Sequence, residues 1–183
     1  LSEEELIDRI KKNPEAFSEL FRQFYKAIFG YVFRRIGIFE VAAEVSAETF
    51  AKAFQNINRF DYRGIPVKVW LYRIASNEIN LYFRNKKKYT TLLTRLQQDG
   101  QFAQYIQDDR ERLEAELQVH QQYLLVVEQL KTLSIPYQEV IALRYFEGKN
   151  NKEIAEILDI KEGTIKSLLS RGLERLRMKC NQL

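Results

Sequence analysis

Seven glycines and three prolines in 183 residues leave this chain few places to turn. A sandwich or barrel of short strands needs a turn signal roughly every ten residues, so the scarcity argues against an all-β fold. The apolar residues instead recur at three- and four-residue spacing over long stretches, which is the helical period. The reading is an all-α chain of two small helical domains joined by a linker.

The punctuation sets the boundaries. Asn13-Pro14 starts a helix, with Asn as cap and Pro at the first helical position. Phe17, Leu20, Phe21, Phe24, Ile28, Val32 and Ile36 carry it to Gly37. A second helix fits 39–56, with Ala42, Val45, Thr49 and Ala53 on one stripe and Phe50, Phe54 and Ile57 on another. Residues 58–66 form a loop by their Gly and Pro. A third helix is predicted over about 67–87, burying Val67, Trp70, Leu71, Ile74, Ala75 and Leu81. Periodicity fades over 88–111, apart from a short helix near 91–97. It resumes near Glu111 and runs to Leu133. Ser134 and Pro136 start a further helix over about 135–147, which Gly148 ends. The domains are therefore predicted at 1–88 and 112–183, with 89–111 as linker.

Chemistry is bounded by what is scarce. One cysteine (Cys180) and one histidine (His120) exclude a disulfide framework and a Cys/His zinc site within one chain. No nucleophile with a base and no glycine-rich phosphate loop is present, so no catalytic residue, metal or cofactor is expected. Glu44 and Glu48 lie one helical turn apart, but a solvated or partner-facing helix face explains them better than a carboxylate pair. No apolar run approaches the ~18 residues of a membrane span. The acidic start, Ser2-Glu3-Glu4-Glu5, is no signal peptide, and a cytoplasmic protein with no membrane insertion is expected.

Net charge is +4, which alone says little. Its distribution says more. Residues 59–88 hold eight basic and two acidic side chains, and 163–179 hold five basic against Glu174. An acidic stretch, 89–133, lies between them. A chain touching a polyanion at two places would be laid out this way; solvated helix faces would also account for it.

The C-terminal basic segment has a particular shape. Asn150-Asn151-Lys152-Glu153 is a capping signal, and Ile154, Ala155, Ile157 and Leu158 make a stripe barely two turns long. After Asp159-Ile160-Lys161, a second helix turns Ile165, Leu168, Leu169, Leu173 and Leu176 inward. These are the proportions of a helix-turn-helix, although an ordinary charged helical hairpin has them too. The second helix would expose Glu162, Thr164, Lys166, Ser167, Ser170, Arg171 and Arg175. That mix of hydroxyls and cations suits phosphates and base edges. The earlier basic segment interleaves rings with cations: Phe60, Tyr62, Trp70, Tyr72, Tyr82 and Phe83 among Arg59, Arg63, Lys68, Arg73, Arg84, Lys86, Lys87 and Lys88. Single-stranded nucleic acid is held by such a mix; a core tryptophan beside a solvated lysine-rich helix end is the plainer alternative.

Trp70-Leu71-Tyr72-Arg73-Ile74-Ala75-Ser76-Asn77 followed by Arg84-Asn85-Lys86-Lys87-Lys88 resembles the promoter-melting region two of bacterial sigma factors, and more narrowly of the extracytoplasmic-function (ECF) group. Glu48-Thr49-Phe50 fits the preceding helix. Tyr137 to Tyr145, Glu153-Ile154-Ala155-Glu156, Gly163-Thr164-Ile165-Lys166-Ser167 and Ser170-Arg171-Gly172 resemble the promoter-reading region four. The resemblance spans about 14–88 and 118–180. Where the family carries three acids and a Gln, this chain reads Val41, Ala43, Glu44 and Ala47, leaving Glu44 and Glu48 as the carboxylates. The resemblance departs again at Leu81, and at Asp159 and Lys161, where the family has Gly and a capping Ser.

The resemblance implies a sigma factor that binds core RNA polymerase and directs promoter-specific initiation. Glu44, Glu48, Lys52 and Gln55 would face polymerase. Phe60, Tyr62, Arg63, Lys68, Tyr72, Arg73, Asn77, Asn80, Arg84, Lys86, Lys87 and Lys88 would hold the melted non-template strand of the minus-ten element. The exposed residues of the last helix would read the minus-thirty-five element as duplex. Within these sets, Arg171 is the choice for a base edge with Lys166 the alternative, Arg175 for a phosphate, and Asn80 and Tyr62 for an extruded base. An anti-sigma factor is a further partner the resemblance admits. An autonomous helix-turn-helix regulator is the competing class.

Overall fold

The computed structural model describes residues 2–61, 65–85 and 121–181. Among them every regular element is helical. The order is α1 (Glu3–Lys12), a 3₁₀ turn (Pro14–Ala16), α2 (Phe17–Ile36), α3 (Phe39–Asn56), a second 3₁₀ turn (Ile57–Arg59) and α4 (Val67–Arg84). After the undescribed stretch come α5 (Gln121–Lys131), α6 (Ile135–Ile141), a π turn (Ala142–Phe146), α7 (Asn151–Leu158) and α8 (Glu162–Cys180). The sequence-predicted helix near 91–97, and the start of the one resuming near Glu111, lie outside the described residues.

Local signals explain most boundaries. The Asn13 side chain accepts from Glu15 N with Pro14 in the first turn. Gly37 closes α2 at φ 74°, a left-handed conformation that glycine adopts without steric cost. Asn150 and Glu153 exchange the two hydrogen bonds of a capping box at the start of α7, each at 2.9 Å. α1 has the same device: Ser2 Oγ accepts from Glu5 N at 3.1 Å and Glu5 Oε2 accepts from Ser2 N at 2.8 Å. That helix was not predicted, although Ser2-x-x-Glu5 ahead of Leu6, Ile7 and Ile10 spells it.

The buried apolar side chains of both halves join one contiguous core. α2, α3 and α4 pack on one another, and α4 packs on α7. This double packing corrects the expected α4 stripe. Trp70, Ile74 and Leu81 are only partly buried, whereas Val69, Tyr72, Ile79 and Tyr82 are buried. A helix covered on two sides buries more than one stripe. The helix expected over 135–147 is α-helical only to Ile141; Glu147 N then bonds Ala142 O at 3.1 Å, the i to i+5 pattern of a π turn. The close approach of α8 falls at Gly172, where a Cβ would lie 3.1 Å from Ile141 Cδ1 and 3.2 Å from Tyr137 Cδ1.

Candidate nucleic-acid interface

α7 and α8 form the helix-turn-helix pair. Asp159 closes α7 in the left-handed region at φ 57°, its N–H donating to Ala155 O. It is the one non-glycine residue with positive φ among those described, at the position where the resemblance to region four leads one to expect glycine. Lys161 occupies the N-cap of α8 and makes no side-chain capping bond, since a lysine side chain offers no acceptor there. α8 turns Ile165, Gly172 and Leu176 into the core. Its opposite face exposes Glu162, Thr164, Lys166, Ser170, Arg171 and Arg175, with Ser167 half-buried. Lys166 lies 3.7 Å from Glu162 one turn back. The Arg175 guanidinium sits 4.8 Å over the Tyr137 ring, which steadies it near the C-terminal end of that face.

At the start of α4 a cleft of about 240 Å³ is lined by Asn56, Arg59, Phe60, Asp61, Ile65, Val69, Trp70 and Arg73. Phe60 is buried and stacks on Trp70, centroids 4.5 Å apart. α1 braces this corner from afar in sequence. Glu3 Oε2 accepts from Val67 N at 2.9 Å, satisfying a free N–H at the start of α4, and Lys11 Nζ donates to Phe60 O at 2.8 Å. Glu3, Lys11 and Asn56 were not singled out as site residues, and Arg59 and Trp70 were named only as part of the basic, aromatic segment. For Glu3 the missed signal was the unrecognised α1. For Trp70 it was the assumption that a ring sharing a stripe with Ile74 is wholly core.

Along α4, Asn77 and Arg84 are exposed and Lys68 is half-buried. Tyr72, Arg73 and Asn80 instead meet the C-terminal half. Tyr72 is 1% exposed, and its OH donates to Glu147 Oε2 at 2.6 Å. Burial, with the Glu147 carboxylate beside it, pushes the Tyr72 phenol far above its ordinary value. Arg73 Nε donates to Glu156 O at 3.0 Å, and Asn80 Nδ2 to Glu139 Oε1 at 2.9 Å. Burial raises the Glu139 carboxyl, against the opposing pull of Arg35 and the Asn80 hydrogen bond. Tyr62, Arg63, Lys86, Lys87 and Lys88 lie outside the described residues.

On α3 the expected exposed stripe is only partly exposed. Glu48 and Gln55 face solvent, while Glu44 is half-buried, and burial followed by the nearby Glu48 charge raises its carboxyl. Lys52 reaches across to α4, where its Nζ donates to the buried Glu78 Oε2 at 2.7 Å; Glu48 Oε1 lies 3.6 Å away. That hydrogen bond raises the Lys52 ammonium above its usual range.

Among the described residues no group of His, Cys, Asp and Glu side chains is placed to hold a metal, and no helix is long and apolar enough to cross a membrane.

Two family models match the chain. The family model Sigma-70 region 2 matches residues 20–89, and Sigma-70, region 4 matches 123–176. The ECF RNA polymerase sigma factor SigW of Bacillus subtilis (strain 168) is 31% identical over 180 residues, 97% of this chain and 96% of that protein. The RNA polymerase sigma factor YlaC of the same organism is 30% identical over 171 residues, 93% and 94% of the two chains. The solved structure of CnrH in complex with the cytosolic domain of CnrY resembles this fold with a TM-score of 0.67 at 20% identity, covering 98% of this chain and 97% of CnrH. The sigma factor RpoE in complex with the anti-sigma factor NepR from Bartonella quintana resembles it with a TM-score of 0.64 at 22% identity, covering 90% and 96%.

Proposed function

We propose, because this chain belongs to the ECF RNA polymerase sigma factors, that its two halves divide promoter recognition between them. The protein is a promoter-directing initiation factor that works with core RNA polymerase, and the autonomous-regulator alternative is not favoured. On this reading it acts by binding, in the cytoplasm where the polymerase is, and catalyses nothing itself. Residues 1–88 are assigned to polymerase and the minus-ten element, 112–183 to the minus-thirty-five element, and 89–111 to the tether between them.

The observation that carries the reading is the arrangement of two unlike surfaces, in the order of both sigma regions. One is the exposed hydroxyl-and-cation face of α8 after a capped short helix. A duplex reader needs such a face to lie in the major groove, with phosphate contacts setting register and base-edge contacts setting sequence. The other is the α4 cleft with Trp70 and Phe60 on its wall and Arg59 and Arg73 at its rim. Rings stack on unpaired bases and cations hold the strand between them. Arg171 is assigned to a base edge, since a guanidinium can bind guanine bidentately. Arg175, anchored on Tyr137, is assigned to a phosphate. Glu48 and Gln55 remain the accessible part of the polymerase-facing stripe, and an anti-sigma factor is a further proposed partner.

The test is promoter-directed transcription. Added to core RNA polymerase on a large library of promoter templates, the chain should yield initiation from a defined sequence set. Transcripts no more promoter-specific than those of core polymerase alone would overturn the reading.

A further inference from the structure

Among the described residues that line the cleft at the start of α4, Asn56 carries the one side-chain amide. Asn80, the amide chosen from the sequence for an extruded base, lies ten residues beyond Trp70 on α4. That is about 15 Å along the helix axis, and Asn80 does not line the cleft. Asn56 is the last residue of α3. Its Nδ2 donates to Lys52 O, one turn back, at 2.8 Å. A carbonyl partner can be met only by the N–H end of an amide, so the orientation of this amide is fixed. The nitrogen lies against the helix, and Oδ1, an acceptor, is the end left for a ligand. The neighbouring oxygens and cations are placed differently. Lys11 holds the Phe60 carbonyl, and Arg73 is bound to the Glu156 carbonyl. Arg59 is an exposed cation at the rim, suited to a phosphate. Asp61, exposed at the same rim, presents acceptor oxygens only.

We propose that Asn56 is a specificity-determining residue of this cleft, and that the unpaired base it selects bears an exocyclic amine. The inference rests on the reading of the cleft as the seat of an extruded base. Adenine, cytosine and guanine each offer such an amine, at N6, N4 and N2. Thymine has none. Its edge donor, N3–H, sits between two carbonyl oxygens, and these would face the Asn56 and Asp61 oxygens, acceptor against acceptor. Once the base has displaced water, groups mismatched in this way are left unpaired. Stacking on Trp70 is open to any base, so the choice among bases falls to the polar side of the cleft.

The experiment uses the full chain assembled with core RNA polymerase. Single-stranded oligodeoxynucleotides, randomised over the downstream element, are selected on the parent chain, on Asn56→Ala and on Asn56→Asp. In the parent chain one position should disfavour thymine about fivefold, the effect of one hydrogen bond. Asn56→Ala should shrink that deficit to less than about twofold at the same position and leave the other positions unchanged. Asn56→Asp keeps an acceptor oxygen. Thymine should stay disfavoured there, while the added charge lowers affinity for all sequences alike. Deaminated bases carry the test to single atoms and tell which amine is read: uracil in place of cytosine, hypoxanthine in place of adenine or guanine. At the selected position, deamination should cost the parent chain the same fivefold and Asn56→Ala less than about twofold.

A sequence profile indifferent to Asn56→Ala would overturn the proposal. So would a loss equal at every position, a preference for thymine at the position Asn56→Ala alters, or deaminated bases bound by the parent chain as well as their parents. Each of these leaves the cleft reading standing, because a sequence has still been selected. No enriched sequence on the parent chain would overturn the cleft reading and the proposal together. The deaminated bases are scored on the unaltered chain, so the outcome does not depend on how either variant folds.

Discussion

Single residues, at one helix end and in the core, have measurable consequences for stability. Lys161 stands at the N-cap of α8 without a side-chain acceptor, so an N–H in the first turn that a capping side chain would satisfy is left to solvent. Lys161→Ser should stabilise the protein by about 1 kcal/mol, read as a higher denaturant midpoint at constant slope. Glu139 shows the opposite economy: a carboxyl buried against Asn80 and Arg35, raised because burial outweighs both partners. A folded-state value above the unfolded one means the native state holds its proton longer. The stability this group contributes is therefore full below the unfolded carboxyl value and is lost as pH rises through the folded one. Glu139→Gln has no such proton to lose. Its unfolding midpoint should fall less steeply than that of the parent chain across that window, in melts taken at closely spaced pH. Identical slopes would show that Glu139 does not titrate differently on folding.

At the scale of elements, α1 is the part whose role lies furthest from its own sequence. Glu3 caps α4 at Val67 and Lys11 holds Phe60, so one short helix fixes both edges of the cleft. Glu3→Ala should cost about 1 kcal/mol of stability and weaken use of the downstream promoter element more than the upstream one. Equal loss at both, in a promoter-library selection, would deny α1 a positioning role. For α8, Arg171→Ala should cost ~1–3 kcal/mol at one upstream position and relax preference there. Arg175→Ala should lower affinity for all sequences alike and flatten the salt dependence by about one unit.

The elements also show what could be read from the chain alone. Asn13-Pro14, Gly37 and Asn150-Glu153 act through bonds within a few residues, so α2, α3, α7 and α8 were legible to within a turn. The contacts that complete the site join residues far apart in sequence: Glu3 with Val67, Lys52 with Glu78, Tyr72 with Glu147. No periodicity encodes these. The α4 stripe was misread for the same reason, because its second covering layer comes from beyond the linker. The exposed face of α8 was legible since the opposite face has to bury Ile165 and Leu176. The π turn was not, because nothing in Ala142 to Phe146 departs from ordinary helix composition.

For the whole molecule, the contact with polymerase is the decisive surface. Glu48 is exposed on α3 beside the Lys52–Glu78 pair, so Glu48→Lys reverses a surface charge without removing the buried one. Affinity for core polymerase should fall several-fold in a titration while the melting midpoint changes little. An unchanged affinity would move the contact off α3. The tryptophan offers a different handle. Trp70 is the only one in the chain, half-buried on the wall of the α4 cleft and stacked on Phe60. All indole emission therefore comes from a single ring at the place where an unpaired base would stack. The native chain carries its own optical gauge, and binding of an unpaired strand to the free chain can be timed in a stopped-flow mixer without attaching any dye.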